Sequence, residues 1–316
     1  MGRFTHLDEP TLSALLARFG VTSVSTTPID AGSVNTYVRV VDRSSTYYLR
    51  VDERADAAAV RHEIAVLGRI TAPPVPRVVP TLDGGAFTQH GDKPVLLFAE
   101  LPGESVPWAA LTPAHLATLG RAVAALHAAD PRGLDPHRFH PQALDEEHYR
   151  PLRSLILRER PDIGAALDDV FREGWATYAF ATLPRAIVHA DLFVDNLHFD
   201  GDTCGLLDFE AAGEGPRALD LAIALHALCF DVAAEAFVLP RVDALLDAWR
   251  AVHPPTGAER AAWPALLTFG AARFLLTRVR DFDLGPGASS QPVRKDPRDF
   301  LKALRASPDL ARRRPL

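Results

Sequence analysis

The stretch Val188–Glu210, VHADLFVDNLHFDGDTCGLLDFE, places three polar side chains at the edges of two short apolar runs. Asp191 follows the first run, Asn196 comes five residues later, and Asp208 closes the second run. Burying a carboxylate without a partner is costly, so acids at strand ends need a structural or chemical reason. The segment NLHFDGDTCGLLDF predicts a hairpin around Asp200-Gly201, which folds Asp208 back beside Asn196.

Two acids and an amide in this arrangement match what phosphoryl transfer needs. That reaction uses oxygen ligands for Mg²⁺, a carboxylate beside the attacking hydroxyl group, and positive charge near the phosphates. Two other interpretations stay open. Asp and Asn are common turn residues. His189, Asp191 and His198 offer ligands for a metal hydrolase, although no HExxH motif is present. We favour phosphoryl transfer because three features occur together: His189 and Asp191, Asn196 five residues after Asp191, and a short hairpin that ends in Asp208-Phe209.

The composition is that of an ordinary globular protein. Its 316 residues suffice for two domains, or for one domain with two lobes. The net charge of −6, and the lack of a basic stripe with interleaved aromatic residues, argue against a nucleic-acid partner. No apolar run approaches the ~18 residues of a membrane span, and we expect neither a signal peptide nor a membrane partner. Two isolated cysteines, Cys204 and Cys229, favour free thiols and a cytoplasmic location.

The first hundred residues predict a helix followed by strands. EPTLSALLARFG has apolar residues at helical spacing, and NTYVRVVD and STYYLRVD are rich in strand-forming residues. DAAAVRHEIAVLGRI predicts a helix with Asp56 as its cap. GGAFTQHGDKPVLLFAEL predicts a second hairpin, and the prolines of TAPPVPRVVP exclude a regular element there.

The remainder predicts helices, interrupted by the opening stretch. One helix begins with Thr112 as N-cap and Pro113 at its first position. Later helices are predicted by RALDLAIALHALCF, PRVDALLDAWRAV, GAERAAWPALLTFGAARFLLTRVRDF and RKDPRDFLKALRA. A connector near residues 101–107 leads us to predict two domains, residues 1–100 and residues 101–316, with a ligand cleft between them.

These motifs resemble those of the aminoglycoside-phosphotransferase-like kinases, relatives of the protein kinases. VHADLFVDN and LLDFE resemble the catalytic loop and metal motif of that family, and GEGPRALDLAIAL resembles the helix that follows. The resemblance implies an α+β, two-lobed protein-kinase-like fold, with a small antiparallel sheet in the N-lobe and a mainly helical C-lobe. It implies that Asp191 is catalytic, that His189 and Asp220 support the catalytic loop, and that Asn196 and Asp208 bind Mg²⁺.

The N-terminal part agrees with this family, with one departure. Arg50 ends the strand YYLRV where the family usually has a phosphate-binding lysine, and Glu63 on the next helix would pair with it. Arginine binds phosphate as a fork rather than as a point charge. DAGSVNTYV stands in place of the glycine-rich loop but holds a single glycine, and no Walker A motif occurs. The ATP-binding residues expected from the resemblance are Gly32, Ser33, Asn35, Arg50, Glu63 and Glu100.

Outside the shared core the chain resembles the bacterial type II homoserine kinases. FTHLDEPTLSALLARFGV followed by AGSVNTYV resembles the start of that group, and AARFLLTRVRDF and KDPRDFLKALRA resemble its last two helices. The resemblance implies an ATP:alcohol phosphotransferase that uses ATP and Mg²⁺ to convert L-homoserine to O-phospho-L-homoserine, in threonine biosynthesis. Arg273 and Arg278 on the long late helix are candidates for binding the substrate carboxylate, with a surface or packing role as the equal alternative.

Two other functions stay open. One is phosphoryl transfer to another small alcohol, such as an aminoglycoside, choline or a sugar-like molecule. The acidic segments DEEHY and LDD would suit a polycationic aminoglycoside. The other is a catalytically impaired pseudokinase that binds ATP. The arginine at position 50, in place of the usual lysine, suggests this function, whereas the presence of Asp191, Asn196 and Asp208 argues against it.

Overall fold

The computed structural model describes residues 5–29, 35–171, 180–284 and 295–316. The first part of the chain is built on an antiparallel sheet, and the rest is mainly helical. This is the mixed α+β architecture that the sequence predicts. Within the described ranges, no helix combines the length and the apolar composition needed to cross a membrane.

The described strands of the N-terminal sheet are β1 (Ser25–Ile29), β2 (Thr36–Val41), β3 (Thr46–Val51), β4 (Arg77–Val78), β5 (Thr88–His90) and β6 (Lys93–Ala99). Their order is β1-β2-β3-β6-β4, with β5 also paired to β6, and every pairing is antiparallel. Strand β1 was not predicted, because its residues STTPI are almost all exposed and show no apolar alternation. Strand β4 lies inside the proline-rich segment TAPPVPRVVP, so the prediction that this segment holds no regular element is wrong. Arg77 and Val78 lie between the prolines, and both pair with β6.

Strand β6 is apolar along its length because both of its faces are covered. Val95 and Leu97 pack in one cluster with residues of helix α1 (Glu9–Arg18). Leu96 and Phe98 belong to a second cluster that continues into the C-terminal helices. One face of the sheet is therefore fixed to α1 and the other to the helical part of the chain.

Helix α2 (Ala57–Leu67) begins where the sequence predicts. The Asp56 carboxylate accepts hydrogen bonds from the backbone N–H groups of Ala58 and Ala59, both at 2.9 Å. Val60 and Leu67 are buried in the larger core cluster. The cap and this apolar face fix the rotation of the helix, which turns Glu63 towards the sheet.

The described helices of the second part are α3 (Pro113–His127), α4 (Pro141–Ala143), α5 (Arg153–Glu159), α6 (Pro161–Phe171), α7 (Ala218–Ala224), α8 (Leu239–Arg250), α9 (Gly257–Arg278) and α10 (Pro297–Arg313). Helix α3 starts with the predicted cap at Thr112, which forms a capping box with His115. Helices α4, α7 and α9 run on into π-helical turns at Leu144–Tyr149, Leu225–Cys229 and Val279–Asp283. These turns were not predicted, since a widened turn leaves little trace in the apolar spacing.

Small antiparallel pairs interrupt the helices. Strand β7 (Arg185–Val188) pairs with β10 (Gly213–Pro216), β8 (Leu197–Asp200) with β9 (Thr203–Leu206), and β11 (Phe230–Asp231) with β12 (Ala236–Phe237). The β8–β9 pair is the predicted hairpin. Its turn is displaced by one residue from the prediction, to Gly201-Asp202, because Asp200 still pairs with Thr203.

Strand β10 was not predicted either, and its glycines explain its position. A Cβ atom on Gly213 would lie 2.7 Å from the carbonyl oxygen of Asp135, and one on Gly215 would lie 2.7 Å from the His137 ring. The segment around residues 135–137 can therefore lie directly against this strand only because side chains are missing there.

Helices α3 and α8 approach each other closely at Gly120. A Cβ atom at this position would lie 2.5 Å from the backbone oxygen of Leu245 and 2.9 Å from the Cβ atom of Ala248. A backbone oxygen cannot move aside as a flexible side chain can. The distance between the two helices thus depends on the absence of a side chain at position 120.

We expect Gly120→Ala to lower the free energy of unfolding by about 1–3 kcal/mol, because the added methyl group must push α8 away from α3. Denaturant unfolding followed by circular dichroism measures this change. Gly257→Ala is the matched control, since no atom lies within 4 Å of a Cβ atom added at the start of α9. Equal stability of the two variants would contradict a tight contact between α3 and α8.

Candidate active site

The loop between β7 and β8 carries the predicted catalytic residue, and a buried carboxylate holds it in place. Ala190 has a positive φ of 63°, which is unfavourable for a residue with a side chain. Asp220 on α7 accepts hydrogen bonds from the backbone N–H groups of His189 and Ala190, both at 2.8 Å. The loop conformation is therefore maintained by the residue expected to support it.

Asp220 is fully buried, and its charge is stabilised by further hydrogen bonds. Nε2 of His127 lies 3.1 Å from Asp220 Oδ2, and the indole Nε1 of Trp249 donates to His127 Nδ1 at 3.0 Å. Burial would raise the pKa of Asp220, but the bonds from His127 and the backbone outweigh burial and lower it. Neither His127 nor Trp249 was predicted to belong to the site from the sequence.

His189 faces the interior of the protein. Its Nε2 atom lies 2.7 Å from the carbonyl oxygen of Leu207, and its Nδ1 atom accepts from the backbone N–H of Asp191 at 3.2 Å. Burial lowers the pKa of His189, which keeps the ring neutral. These contacts connect the loop to the end of the β8–β9 hairpin, next to Asp208.

Asp191, Asn196 and Asp208 meet at the end of this hairpin. The Nδ2 group of Asn196 donates to the backbone oxygen of Asp191 at 2.9 Å and to its Oδ2 atom at 3.1 Å. The backbone N–H of Leu207 donates to the Asn196 carbonyl oxygen at 2.9 Å, so residue 208 follows directly beside Asn196. Burial and the charge of Asp191 raise the pKa of Asp208.

Arg50 forms the basic side of the site and is surrounded by acids. Arg50 is 1% exposed, and its guanidinium group donates to both carboxylate oxygens of Glu63, at 3.0 Å and 2.5 Å. Nε also donates to Asp52 at 3.1 Å, and the guanidinium group lies above the Phe98 ring at 5.2 Å. The expected ion pair between Arg50 and Glu63 is present in the structure.

Glu210 joins the two parts of the chain, and the sequence analysis assigned it no role. Its Oε1 atom lies 3.4 Å from Nη1 of Arg50 and accepts a hydrogen bond from Nδ2 of Asn35. Burial and the charge of Asp208 raise the pKa of Glu210. The only signal in the sequence was the second acid of LLDFE. Asn35 in turn accepts from the backbone N–H of Glu53 at 3.1 Å.

The donor set at Asn196 and Asp208 fits a hard divalent cation. Asp208 has a half-buried carboxylate whose described hydrogen bond is a long one, 3.4 Å from the Glu210 N–H. Since Nδ2 of Asn196 is directed to Asp191, the amide oxygen of Asn196 remains for another partner. Oxygen ligands of this kind are those that Mg²⁺ prefers. Across the described ranges, no group of three or more His, Cys, Asp or Glu side chains is arranged for metal binding. His198 lies on β8, near the Leu101 carbonyl oxygen.

Other residues expected at the site lie apart from this group. Glu100 is exposed after β6, where it contacts the Tyr48 hydroxyl at 3.4 Å and Arg39 at 3.9 Å. Gly32 and Ser33 lie outside the described residues. Arg278 lies at the end of α9, bound to Asp299 at 3.2 Å. It lines a cavity of about 300 Å³ together with Trp108, Phe193, Phe230, Asp299 and Phe300.

Arg273 is the expected substrate residue that the structure places near the loop. The rings that flank it contact the loop. Phe139 packs against the buried cluster that includes Ala190. The Phe274 ring centroid lies 4.7 Å from that of Phe193. The side chain is 2% exposed, with its guanidinium carbon 4.4 Å from the ring centroid of Phe139. Of the two arginines proposed for the substrate, this one therefore lies beside the catalytic loop.

Comparison with known proteins agrees with this geometry. The sequence model of the phosphotransferase enzyme family matches residues 25–255. Homoserine kinase of Gluconacetobacter diazotrophicus is 33% identical over 328 residues, which cover 96% of this chain and 96% of that protein. Homoserine kinase of Parvibaculum lavamentivorans is 32% identical over 318 residues, covering 96% and 95%.

Solved structures share the fold at lower identity. An amicoumacin kinase in complex with AMP-PNP, Ca²⁺ and its ligand has a TM-score of 0.66 at 17% identity, covering 98% of this chain and 95% of that one. A microcompartment-associated aminopropanol kinase has a TM-score of 0.62 at 20% identity, covering 97% of each chain. Both support the protein-kinase-like fold. Given the extent of the family match and of the curated relatives, this chain belongs to the phosphotransferase enzyme family, as a kinase-type phosphotransferase.

Proposed function

We propose that this protein is an ATP-dependent kinase that phosphorylates the hydroxyl group of L-homoserine, and so acts in threonine biosynthesis. The observation that carries the proposal is the match to curated homoserine kinases over 96% of the chain. The convergence of Asp191, Asn196 and Asp208 at one end of the β8–β9 hairpin supports phosphoryl transfer as the reaction. The cytoplasmic location stays a prediction from composition.

In this proposal Asp191 orients the substrate hydroxyl group and accepts its proton. One oxygen of its carboxylate is bound by Asn196, and the loop is fixed by the Asp220 network, so the carboxylate is held in a defined orientation. A fixed carboxylate beside the nucleophile is what phosphoryl transfer requires of the protein. His189 and Asp220 support the loop and do not contact the reacting atoms.

Asn196 and Asp208 would hold Mg²⁺. When bound, this ion neutralises charge on the phosphates as the phosphoryl group is transferred. Without it the site carries an excess of acid, which is consistent with the raised pKa values of Asp208 and Glu210.

Arg50 supplies the cation for the ATP phosphates and is held in place by Glu63. Asn35 is proposed to bind ATP as well, and so are Gly32 and Ser33, which lie outside the described residues. We place the adenine against the connector after Phe98 and Glu100. This connector also marks the proposed boundary between an N-terminal domain of residues 1–100 and a C-terminal domain of residues 101–316.

The structure does not favour a polycationic substrate. The acidic segments that would suit an aminoglycoside are partly neutralised by arginines of the same chain. Asp145 pairs with Arg150 at 2.9 Å, and Asp168 pairs with Arg153 at 2.6 Å. Acids already paired in this way attract a polycation less strongly.

Asp191→Asn should lower turnover by at least about 100-fold, the usual contribution of a positioned general base. The asparagine keeps the shape of the side chain and the bond from Asn196, so the fold and nucleotide binding should be unchanged. Steady-state ATP consumption with L-homoserine measures turnover. Thermal unfolding with and without ATP measures the stability of the fold and the binding of nucleotide. Retained turnover in this variant would remove Asp191 from its assigned role.

Arg50 has two proposed roles: its charge stabilises the buried acids around it, and it binds the ATP phosphates. Arg50→Met leaves buried carboxylates without their cation, so it should destabilise the protein by about 3–5 kcal/mol. Arg50→Lys keeps the charge and should fold, with a raised KM for ATP because the forked contact is lost. Denaturant unfolding and ATP titration provide both measurements. If Arg50→Lys had an unchanged KM for ATP, and Arg50→Met were as stable as the unaltered protein, Arg50 would neither bind ATP through its fork nor stabilise the buried acids.

The substrate is identified by an ATP-consumption screen with L-homoserine, choline and an aminoglycoside, each with and without Mg²⁺. We expect consumption with L-homoserine alone, and only when Mg²⁺ is present. A thermal shift with nucleotide shows separately whether ATP binds. Binding of ATP without consumption in any reaction would favour the pseudokinase. ATP consumption with another alcohol instead would show that this alcohol, and not L-homoserine, is the substrate.

A further inference from the structure

Arg273 carries a buried charge for which the described part of the chain provides no counter-ion. Its Nε and Nη1 atoms are enclosed and have no hydrogen-bond partner, and no ion pair of the described residues involves it. Burial lowers the pKa of Arg273 to about 10, so the group is still charged at neutral pH. A buried charge without a partner is strongly unfavourable. This points to an anion that comes from outside the chain.

Aromatic rings flank the guanidinium group. Its central carbon lies 4.4 Å from the ring centroids of both Phe139 and Phe274. Such contacts offset part of the cost of burial, but they provide no hydrogen-bond acceptor. The N–H groups at the edge of the guanidinium plane are left for a planar acceptor with two oxygens, such as a carboxylate.

The acids near Arg273 already have other partners, and Arg138 nearby is a second cation rather than a counter-ion. Asp220 accepts from the loop backbone and contacts His127, and one oxygen of Asp191 is bound by Asn196. His137 is buried without a hydrogen-bond partner for either ring nitrogen. Burial and the charge of Arg273 lower the pKa of His137 to about 3, so it adds no negative charge.

Arg278 differs in this respect. It donates to Asp299 at 3.2 Å and to the backbone oxygen of Asp296 at 3.0 Å, and it lies 4.5 Å from the centroid of the Phe300 ring. Its charge is therefore balanced within the chain. Of the two late arginines, only Arg273 is buried without a counter-ion.

We propose that Arg273 binds the carboxylate of the substrate, and thereby selects hydroxy amino acids over alcohols that lack a carboxylate. The assignment rests on the proposed kinase function. One of the two rings that flank Arg273 packs against the buried cluster that includes Ala190, and the other contacts Phe193. Ala190 and Phe193 lie on either side of Asp191 in the loop. A substrate anchored at Arg273 by its carboxylate therefore presents its other end near the proposed base. The unpaired arginine thus sets the substrate class, while the shared kinase motifs set the reaction.

The test compares L-homoserine with 3-aminopropan-1-ol, which is homoserine without its carboxylate, using the full chain with ATP and Mg²⁺. Arg273→Met should lower kcat/KM for L-homoserine by about 100-fold, and that for 3-aminopropan-1-ol by less than about threefold. Arg273→Lys should restore part of the loss, because it returns a point charge without the fork.

A binding measurement does not depend on turnover. L-2-aminobutyrate has the carboxylate and amine of homoserine but no hydroxyl group. It should raise the melting temperature of the unaltered protein and leave that of Arg273→Met unchanged. Arg260→Met is the matched control on the same helix, because Arg260 is exposed and its guanidinium group donates to the Pro255 carbonyl oxygen. It should behave like the unaltered protein in both measurements.

The other outcomes separate the proposals. An equal loss with both alcohols, together with an undiminished response to L-2-aminobutyrate, would give Arg273 a packing role and overturn the inference. A selective loss of kcat/KM for L-homoserine in Arg278→Met but not in Arg273→Met would place the substrate carboxylate in the cavity at Arg278, which would also overturn the inference. If the unaltered protein consumed no ATP with L-homoserine, the proposed function would fail, and the melting measurement would still decide on Arg273.

Discussion

The position of the catalytic loop depends on one buried carboxylate. Asp220 holds two successive backbone N–H groups of the loop and so compensates for the positive φ of Ala190, a conformation that costs about 1–2 kcal/mol for an L-residue. Asp220 is itself fixed through His127 and Trp249. Because these residues come from α7, α3 and α8, the packing of three helices determines where Asp191 lies. The close approach of α3 and α8 at Gly120 is part of the same arrangement.

A second constraint is the excess of negative charge around Arg50. This one guanidinium group contacts Asp52, Glu63 and Glu210, and its charge also acts on Asp208. The pKa values of Asp208 and Glu210 are raised because burial and mutual repulsion disfavour two further charges. Such a site is suited to a divalent cation. The ion pairs that fix Arg50 also join the sheet to the hairpin that carries Asp208.

Much of this could be predicted from the sequence where the signal was local. The caps at Asp56 and Thr112 depend on neighbouring backbone groups, and both are present. The hairpin that brings Asp208 beside Asn196 followed from two apolar runs and a short turn, with an error of one residue at the turn. Elements without a local pattern were missed. They include β10, which depends on contact with the segment around residues 135–137, and the π-helical turns.

The family, the fold class and the spacing of Asp191, Asn196 and Asp208 could be read from the amino-acid sequence, because they depend on short motifs and on apolar periodicity. Which charge meets which partner depends on how the chain packs. This packing places Glu210 against Arg50 and Asn35, and it pairs Arg278 with Asp299 while leaving Arg273 buried and unpaired. The two arginines are the same residue type and lie on the same helix, so the sequence does not distinguish them. Their difference arises from the segments packed against them, which are distant in the chain and leave no local trace in the sequence.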